Sequence, residues 1–71
     1  MNWTPDALDR LERAIAEGGR VQLRRKGTEI VLLPDRLRYD YGGEVLHGRH
    51  LGTGDRVEVP LSEVDWFGVL D

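Results

Sequence analysis

Cysteine is absent from this 71-residue sequence. Its absence excludes disulfide bonds and thiolate zinc sites, two devices that often stabilise very small domains. A chain of this length makes one domain and buries only about 60% of the surface that its unfolded form exposes, so its hydrophobic core is thin. We therefore expect stability to come from close packing, or from association with a partner or a second copy of the chain.

Long apolar runs are also missing. No stretch approaches the roughly 18 apolar residues that a membrane-spanning helix needs. The first residues show no basic and then apolar signal region. Together with the lack of cysteine, this composition favours a cytoplasmic location without membrane contact.

The sequence carries no recognisable catalytic, metal or nucleotide motif. His47 and His50 are close together on a predicted strand, on opposite faces unless the strand bulges, and no third ligand is evident. Gly52–Gly54 forms a turn without the lysine and following helix of a phosphate-binding loop. We therefore predict no enzyme activity, no metal and no cofactor.

Charge is unevenly distributed along the chain. The net charge at pH 7 is −3, which argues against a general nucleic-acid binder. Most basic residues nevertheless fall within residues 20–38, whereas residues 54–71 are mainly acidic. The chain can therefore be basic on one face, or can neutralise itself across a sheet.

Helical signals come first in the chain. Thr4 is a favourable N-cap and Pro5 suits the first helical position, while Gly18 and Gly19 end the pattern. Apolar residues recur at helical spacing on one face, which predicts a helix from about Pro5 to Glu17. We expect that face to pack across an open end or face of a sheet; docking onto a partner is the alternative.

Beyond these glycines the apolar period changes to two, which is typical of strands with one buried face. Five strands are predicted, with turns at Lys26–Gly27, Gly42–Gly43 and residues 52–55. Pro34 predicts a kink in the second strand, and Gly48 predicts a bulge or sharp bend in the third.

The stretch Arg56–Leu70 reads as a strand, one tight helical turn and a final strand. Pro60 ends the first of these strands, and Leu61–Val64 makes the turn. So many strands in so few residues favour a closed or nearly closed barrel, because closure removes exposed strand edges. The predicted fold is mostly β: an N-terminal helix at residues 4–18, then a five-stranded SH3-like or Sm-like small barrel at 20–70 with a short 3₁₀ turn before the last strand.

The layout resembles two kinds of Sm-like, SH3-like barrel. The resemblance is carried by Leu-Pro-x-x-Leu at Leu33–Leu37, Gly-x-x-Leu-x-Gly at Gly43–Gly48 and Val-Pro-Leu-Ser-Glu-Val at Val59–Val64. These segments are similar in layout to the WYL ligand-sensing domain of bacterial regulators and to the small Sm-like inhibitor of the termination factor Rho. Glu44–Leu46 stands where the WYL domain has its Trp-Tyr-Leu triplet, so no functional residue is carried over. The resemblance implies a module that binds RNA, single-stranded DNA, a small ligand or a protein, and seldom catalyses.

Six basic residues form a candidate face for phosphates, nucleic acid or an acidic protein surface. They are Arg20, Arg24, Arg25, Lys26, Arg36 and Arg38. The alternative is that nearby carboxylates neutralise them across the sheet. Those carboxylates are Glu29, Asp35, Asp40 and Glu58.

Aromatic residues supply the candidate protein interface. Trp66 and Phe67 are adjacent on the last strand, so one side chain points inward and the other outward. An exposed aromatic ring on an edge strand favours protein contact, unless the helix covers it. Tyr39 and Tyr41 lie beside the basic face and could stack on nucleic-acid bases, or pack at the core or rim.

These observations favour a non-catalytic binding or regulatory module that acts through protein–protein contacts, including contacts between copies of the chain in a homo-oligomer. A function of a different class, RNA or single-stranded DNA binding through residues 20–38, is the alternative. A small-ligand sensor of the WYL type is the third hypothesis.

Overall fold

The N-terminal helix α1 spans Pro5–Glu17, as predicted, in a computed structural model that describes residues 1–70. At its start, Thr4 Oγ1 accepts a hydrogen bond from the Ala7 N–H at 3.1 Å, which satisfies a donor of the first helical turn. At its end, Gly18 adopts a left-handed conformation with φ 69°, as in many helix termini. Both ends are therefore fixed by residues that the sequence marks.

Five antiparallel strands follow the helix and form one sheet. β1 is Val21–Arg25, β2 is Thr28–Asp40, β3 is Gly43–His50, β4 is Arg56–Pro60 and β5 is Val64–Val69, with a 3₁₀ turn at Leu61–Glu63. Their order across the sheet is β4-β3-β2-β1-β5. The predicted mostly-β class, with one N-terminal helix, five strands and a 3₁₀ turn before the last strand, is confirmed.

The sheet is open, which corrects the expected closure of the barrel. β4 and β5 lie at its two edges, and within residues 1–70 no strand pairing joins them. The 3₁₀ turn separates the two strands, and the Trp3 indole N–H donates to the Leu61 carbonyl in that turn at 2.8 Å. The same carbonyl accepts the Val64 N–H, so the segment before α1 binds to the 3₁₀ turn at the opening between the two edge strands.

Two-residue turns join the first three strands. Lys26 and Gly27 have φ of 50° and 80°, and Tyr41 and Gly42 have φ of 53° and 78°. Positive φ at both central residues defines a type I′ turn, whose twist matches that of a hairpin. The first turn is as predicted. The second lies one residue earlier than predicted, because Gly43 already belongs to the ladder between β2 and β3.

β2 bends in its middle, where it passes from pairing with β1 to pairing with β3. The register shifts between the pairs Pro34–Gly48 and Arg36–His47. Asp35 is therefore an extra residue on β2, which defines a β-bulge. The predicted kink at Pro34 is confirmed, whereas the bulge expected at Gly48 lies in the opposite strand.

Gly48 faces this bulge at close range. A Cβ atom at this position would lie 2.7 Å from the Leu33 carbonyl oxygen and 3.1 Å from the Cα of Pro34. Only a residue without a side chain lets the bent strand approach so closely. Glycine thus permits the bend of β2, while β3 carries no extra residue.

The core lies between α1 and the sheet. Leu11 of α1 is completely buried, beside Ala7 and Ala14 on the same face of the helix. The strands contribute Val21, Leu23, Leu32, Leu46, Val59, Val64 and Phe67. The expected packing of the helix across the sheet is confirmed.

Candidate functional site

Two of the predicted basic residues are ion-paired near the β1–β2 hairpin. Arg24 binds Glu29, its direct partner in the ladder, at 3.0 Å, and Arg25 binds Glu63 of the 3₁₀ turn at 2.6 Å. Arg24 also lies over the Trp66 ring, 5.8 Å from its centroid, in the geometry of a cation–π contact. These two guanidinium groups therefore make contacts within the fold.

The pKa of Glu29 reflects this neutralisation. A hydrogen bond from Arg24 at 3.0 Å, and then one from the Gln22 amide at 2.7 Å, lower the pKa of the Glu29 carboxyl below its ordinary value. Donors that bind the ionised carboxylate favour it over the protonated acid. The charge of Arg24 is thus balanced locally.

Arg20 and Lys26 flank β1 at its two ends. Arg20 precedes the strand, and its backbone carbonyl accepts a hydrogen bond from the Leu70 N–H at 2.8 Å. Lys26 lies in the first hairpin turn, where its backbone N–H donates to Asp65 Oδ2 at 3.2 Å. Both residues are exposed, but the length of β1 separates them.

Arg36 and Arg38 lie on the other half of β2, beyond the bulge. Arg36 pairs with His47 of β3, whereas Arg24 pairs with Glu29 near the start of β2. The strand from Glu29 to Arg36 spans about 23 Å when extended. The structure thus divides the predicted basic residues between two parts of the sheet.

A groove opens on the solvent-facing side of β2, β3 and β4, next to the bulge. Its volume is about 320 Å³. Three arginines from three strands line it, Arg36, Arg49 and Arg56, together with His47. The other lining residues are Leu33, Pro34, Asp35, Gly48, Val57 and Glu58. We call this site the arginine groove.

Strand register brings these side chains together. Arg49 lies directly opposite Arg56 in the β3–β4 ladder, and His47 lies between Arg36 and Glu58 in the adjacent row. Residues opposite each other in neighbouring strands project from the same face of the sheet. A hydrogen bond of 3.0 Å to a carbonyl of the β3–β4 loop also holds the Arg49 guanidinium in place.

The arginine groove carries a positive charge at neutral pH. Asp35 and Glu58 offset the three arginines only in part, and within residues 1–70 Arg36 and Arg56 form no ion pair. Nε2 of His47 is buried without a hydrogen-bond partner, which is a costly state for a polar atom. An anion with several oxygen atoms would complement the free guanidinium groups.

Sequence reasoning missed Arg49 and Arg56. Each is an isolated basic residue in its segment, with no run of positive charge to mark it. The signal that could have found them is the predicted turn at residues 52–55. Folding β3 onto β4 through this turn places the two arginines opposite each other.

The four predicted interface aromatics have different surroundings. Phe67 is only 5% exposed and stacks on Trp3 with the ring centroids 5.0 Å apart. Trp66 is 43% exposed on the edge strand β5, so the two adjacent rings point to opposite sides as expected. Tyr39 and Tyr41, at the β2–β3 hairpin, are 75% and 99% exposed. Phe67 is therefore a core residue, whereas the other three side chains reach solvent.

The two histidines have separate environments. His47 lines the arginine groove, while His50 Nδ1 accepts a hydrogen bond from the Gly52 N–H at 3.0 Å. Across residues 1–70, no group of three or more histidine, cysteine, aspartate or glutamate side chains could hold a metal ion. In the same part of the chain, no helix has the length and apolar character needed to cross a membrane.

The fold is similar to part of a solved structure. Neither a scan against protein-family models nor a search of curated proteins gives a match. The structural likeness is to proteasome accessory factor B/C (PafBC) of Arthrobacter aurescens, with a TM-score of 0.80 and 20% sequence identity over 92% of this chain. The chain spans 11% of the length of that protein chain.

At this level of identity the likeness shows a shared fold. It supports the WYL-like layout of the sequence within a small barrel-like architecture. The Sm-like comparison stays a prediction.

Proposed function

We propose that this chain is a non-catalytic binding module of a regulatory protein, and that it binds a phosphate-bearing ligand in the arginine groove. The observation that carries this proposal is the convergence of Arg36, Arg49 and Arg56 on one groove. Arg24 and Arg25, by contrast, are occupied by Glu29 and Glu63.

The chemistry of the arginine groove suits a phosphate group better than it suits an apolar ligand. A guanidinium group offers parallel N–H donors in a planar fork, which fits two oxygens of a phosphate at once. Arg36 and Arg56 lie on the two outer strands of the groove, with Arg49 between them. A ligand seated there could therefore reach donors from both sides.

The size of the groove sets the scale of the ligand. A volume of about 320 Å³ lies at the lower end of the range for small-molecule pockets. A small phosphorylated metabolite, or a single nucleotide unit of an RNA or DNA strand, has suitable dimensions. Both ligands would be bound through the same phosphate chemistry. The choice of probes in the experiment below distinguishes them.

The structural likeness is consistent with a regulatory role. The matched protein is named a proteasome accessory factor, and the WYL domain that the sequence resembles is a ligand-sensing module of regulators. Because this chain spans 11% of that protein, the likeness bears on one module and not on a whole regulator. Protein contacts, homo-oligomer formation and a cytoplasmic location stay predictions.

Isothermal titration calorimetry at about 50 mM salt, a low ionic strength that favours phosphate contacts, tests the proposal. Pyrophosphate and a short oligo-dT strand are the two probes. We expect one or both to bind the wild-type chain, and the double variant Arg36→Gln, Arg56→Gln to lose at least about tenfold in affinity. Arg24→Gln is the matched control, because it removes the same type of side chain from a paired position.

The pattern of binding identifies the source of the phosphate. Pyrophosphate binding alone indicates a small ligand, whereas strand binding that falls steeply with salt indicates nucleic acid. Failure of both probes to bind would refute the phosphate proposal. Equal losses in Arg24→Gln and in the double variant would place the binding surface outside the arginine groove.

A further inference from the structure

The β2–β3 hairpin ends in two exposed tyrosines that the arginine groove does not use. Tyr39 is the last but one residue of β2 and is 75% exposed; Tyr41 is the first turn residue and is 99% exposed. Neither is among the residues that line the groove. A phenol ring that is almost wholly in water contributes little to folding, since it buries no apolar surface.

Tyr41 occupies a backbone position that disfavours it. Its φ is 53°, and with Gly42 at 78° it forms a type I′ turn. The residues preferred at this first position are asparagine, aspartate and glycine, and a bulky residue with positive φ is uncommon. The turn therefore holds a strained residue whose exposed ring offers no compensating contact within the fold.

The charges around the hairpin indicate what the tyrosines could contact. Glu44 lies directly opposite Tyr39 in the ladder and shares its face, whereas Asp40 lies on the other face, which also carries Arg38. Within residues 1–70 neither carboxylate forms an ion pair. On the Tyr39 face a phosphate backbone would be repelled by Glu44, so stacking of nucleic-acid bases on that ring is disfavoured.

We propose that the hairpin tip, residues 39–44, is a docking site for an arginine-bearing segment of a partner protein. A guanidinium group can lie over a tyrosine ring and also bind a carboxylate. Tyr39 and Glu44 supply a ring and a carboxylate on one face of the hairpin, and Tyr41 supplies an exposed ring in the turn beside them. This contact is separate from ligand binding in the arginine groove and does not depend on it.

The substitution Tyr41→Asn separates binding from folding. Asparagine before glycine is favoured in a type I′ turn, so we expect the melting temperature to rise by about 3 °C or more. Binding of a synthetic peptide of alternating arginine and proline, measured by calorimetry at about 50 mM salt, should weaken at least about tenfold. The gain in stability excludes unfolding as the cause of the loss.

The other type I′ turn of the chain provides the matched control. Lys26→Asn likewise places asparagine before glycine at the first position of the β1–β2 turn, where φ is 50°. It should raise the melting temperature without weakening peptide binding. Glu44→Gln should weaken binding while leaving the turn unchanged. The double variant Arg36→Gln, Arg56→Gln should bind the peptide at least as tightly as the wild type, because it removes positive charge that repels the peptide, so failure of the groove proposal leaves this one testable.

Three results would overturn the proposal. One is wild-type affinity of Tyr41→Asn for the peptide, and another is equally tight binding of a peptide with glutamate in place of arginine. The third is a change in the NMR chemical shifts of the tyrosine rings on adding oligo-dT, with no change on adding the arginine peptide. That last result would make the hairpin a nucleic-acid contact.

Discussion

At the scale of single residues, one glycine decides how closely β2 and β3 can approach at the bulge. Gly48→Ala would place a Cβ atom 2.7 Å from the Leu33 carbonyl oxygen. Because that oxygen belongs to the backbone, the strands must shift, and we expect a loss of about 2 kcal/mol in the free energy of unfolding. Urea denaturation of the wild type and the variant measures this difference in the free energy of unfolding.

Gly43 offers a matched control in the same strand. Nothing lies within 4 Å of a Cβ atom built there, so Gly43→Ala should change stability by less than about 0.5 kcal/mol. Equal effects of the two substitutions would show that close packing at Gly48 is not what shapes the bend.

Glu29 gives a second prediction at the residue scale. Because hydrogen bonds from Arg24 and Gln22 lower its folded-state pKa, the contribution of this cluster to stability is present above the unfolded pKa and lost as pH falls through the folded pKa. Arg24→Met should raise the pKa of the Glu29 carboxyl toward its ordinary value. An NMR titration of the carboxyl carbon tests this, with Arg13→Met as a control that should leave the Glu29 pKa unchanged.

Residue-level signals predicted the ends of the helix well, since Thr4, Pro5 and Gly18 each act through local backbone chemistry. The second hairpin turn was harder to predict. Two adjacent glycines satisfy the requirement for positive φ in either of two registers, and the ladder selects the one that begins at Tyr41. The choice depends on side-chain pairing along both strands, which no single dipeptide contains.

At the scale of elements, Trp3 links the start of the chain to its end. Its indole N–H donates to the Leu61 carbonyl at 2.8 Å, and its ring stacks on Phe67. Trp3→Phe keeps an aromatic ring but loses the hydrogen bond, so we expect a loss of about 1 kcal/mol in the free energy of unfolding. Trp3→Ala removes both contacts and should cost about 3 kcal/mol.

Trp66→Phe serves as the control for this contact, because Trp66 is 43% exposed and makes no such hydrogen bond. Trp66→Phe should lower the free energy of unfolding, measured by chemical denaturation, by less than Trp3→Phe does. If Trp66→Phe lowers it by more than Trp3→Phe, the link between Trp3 and the 3₁₀ turn contributes little to stability.

The number, type and order of the elements could be predicted from the sequence, because hydrophobic periodicity and turn residues are local signals. Closure of the sheet could not. Whether β4 meets β5 depends on how the 3₁₀ turn and the segment around Trp3 fill the space between the two edges. That arrangement is a matter of three-dimensional packing between distant parts of the chain.

At the scale of the whole molecule, strand pairing decides which arginines can act together. The predicted basic face joined Arg24 to Arg36 as residues of neighbouring strands, but β2 is long and bent, and the two lie on different parts of the sheet. Arg49 and Arg56 join Arg36 only after three strands have paired in register. Arg24 and Arg25, by contrast, each pair with a carboxylate of the fold.

The most direct test of the arginine groove is an NMR titration of the arginine side-chain Nε–Hε signals with pyrophosphate. We predict saturable shifts at Arg36, Arg49 and Arg56, and no comparable shifts at Arg24 and Arg25, which are already paired. Shifts of equal size at all five arginines, or the largest shifts at Arg24 and Arg25, would contradict the assignment of ligand binding to the arginine groove.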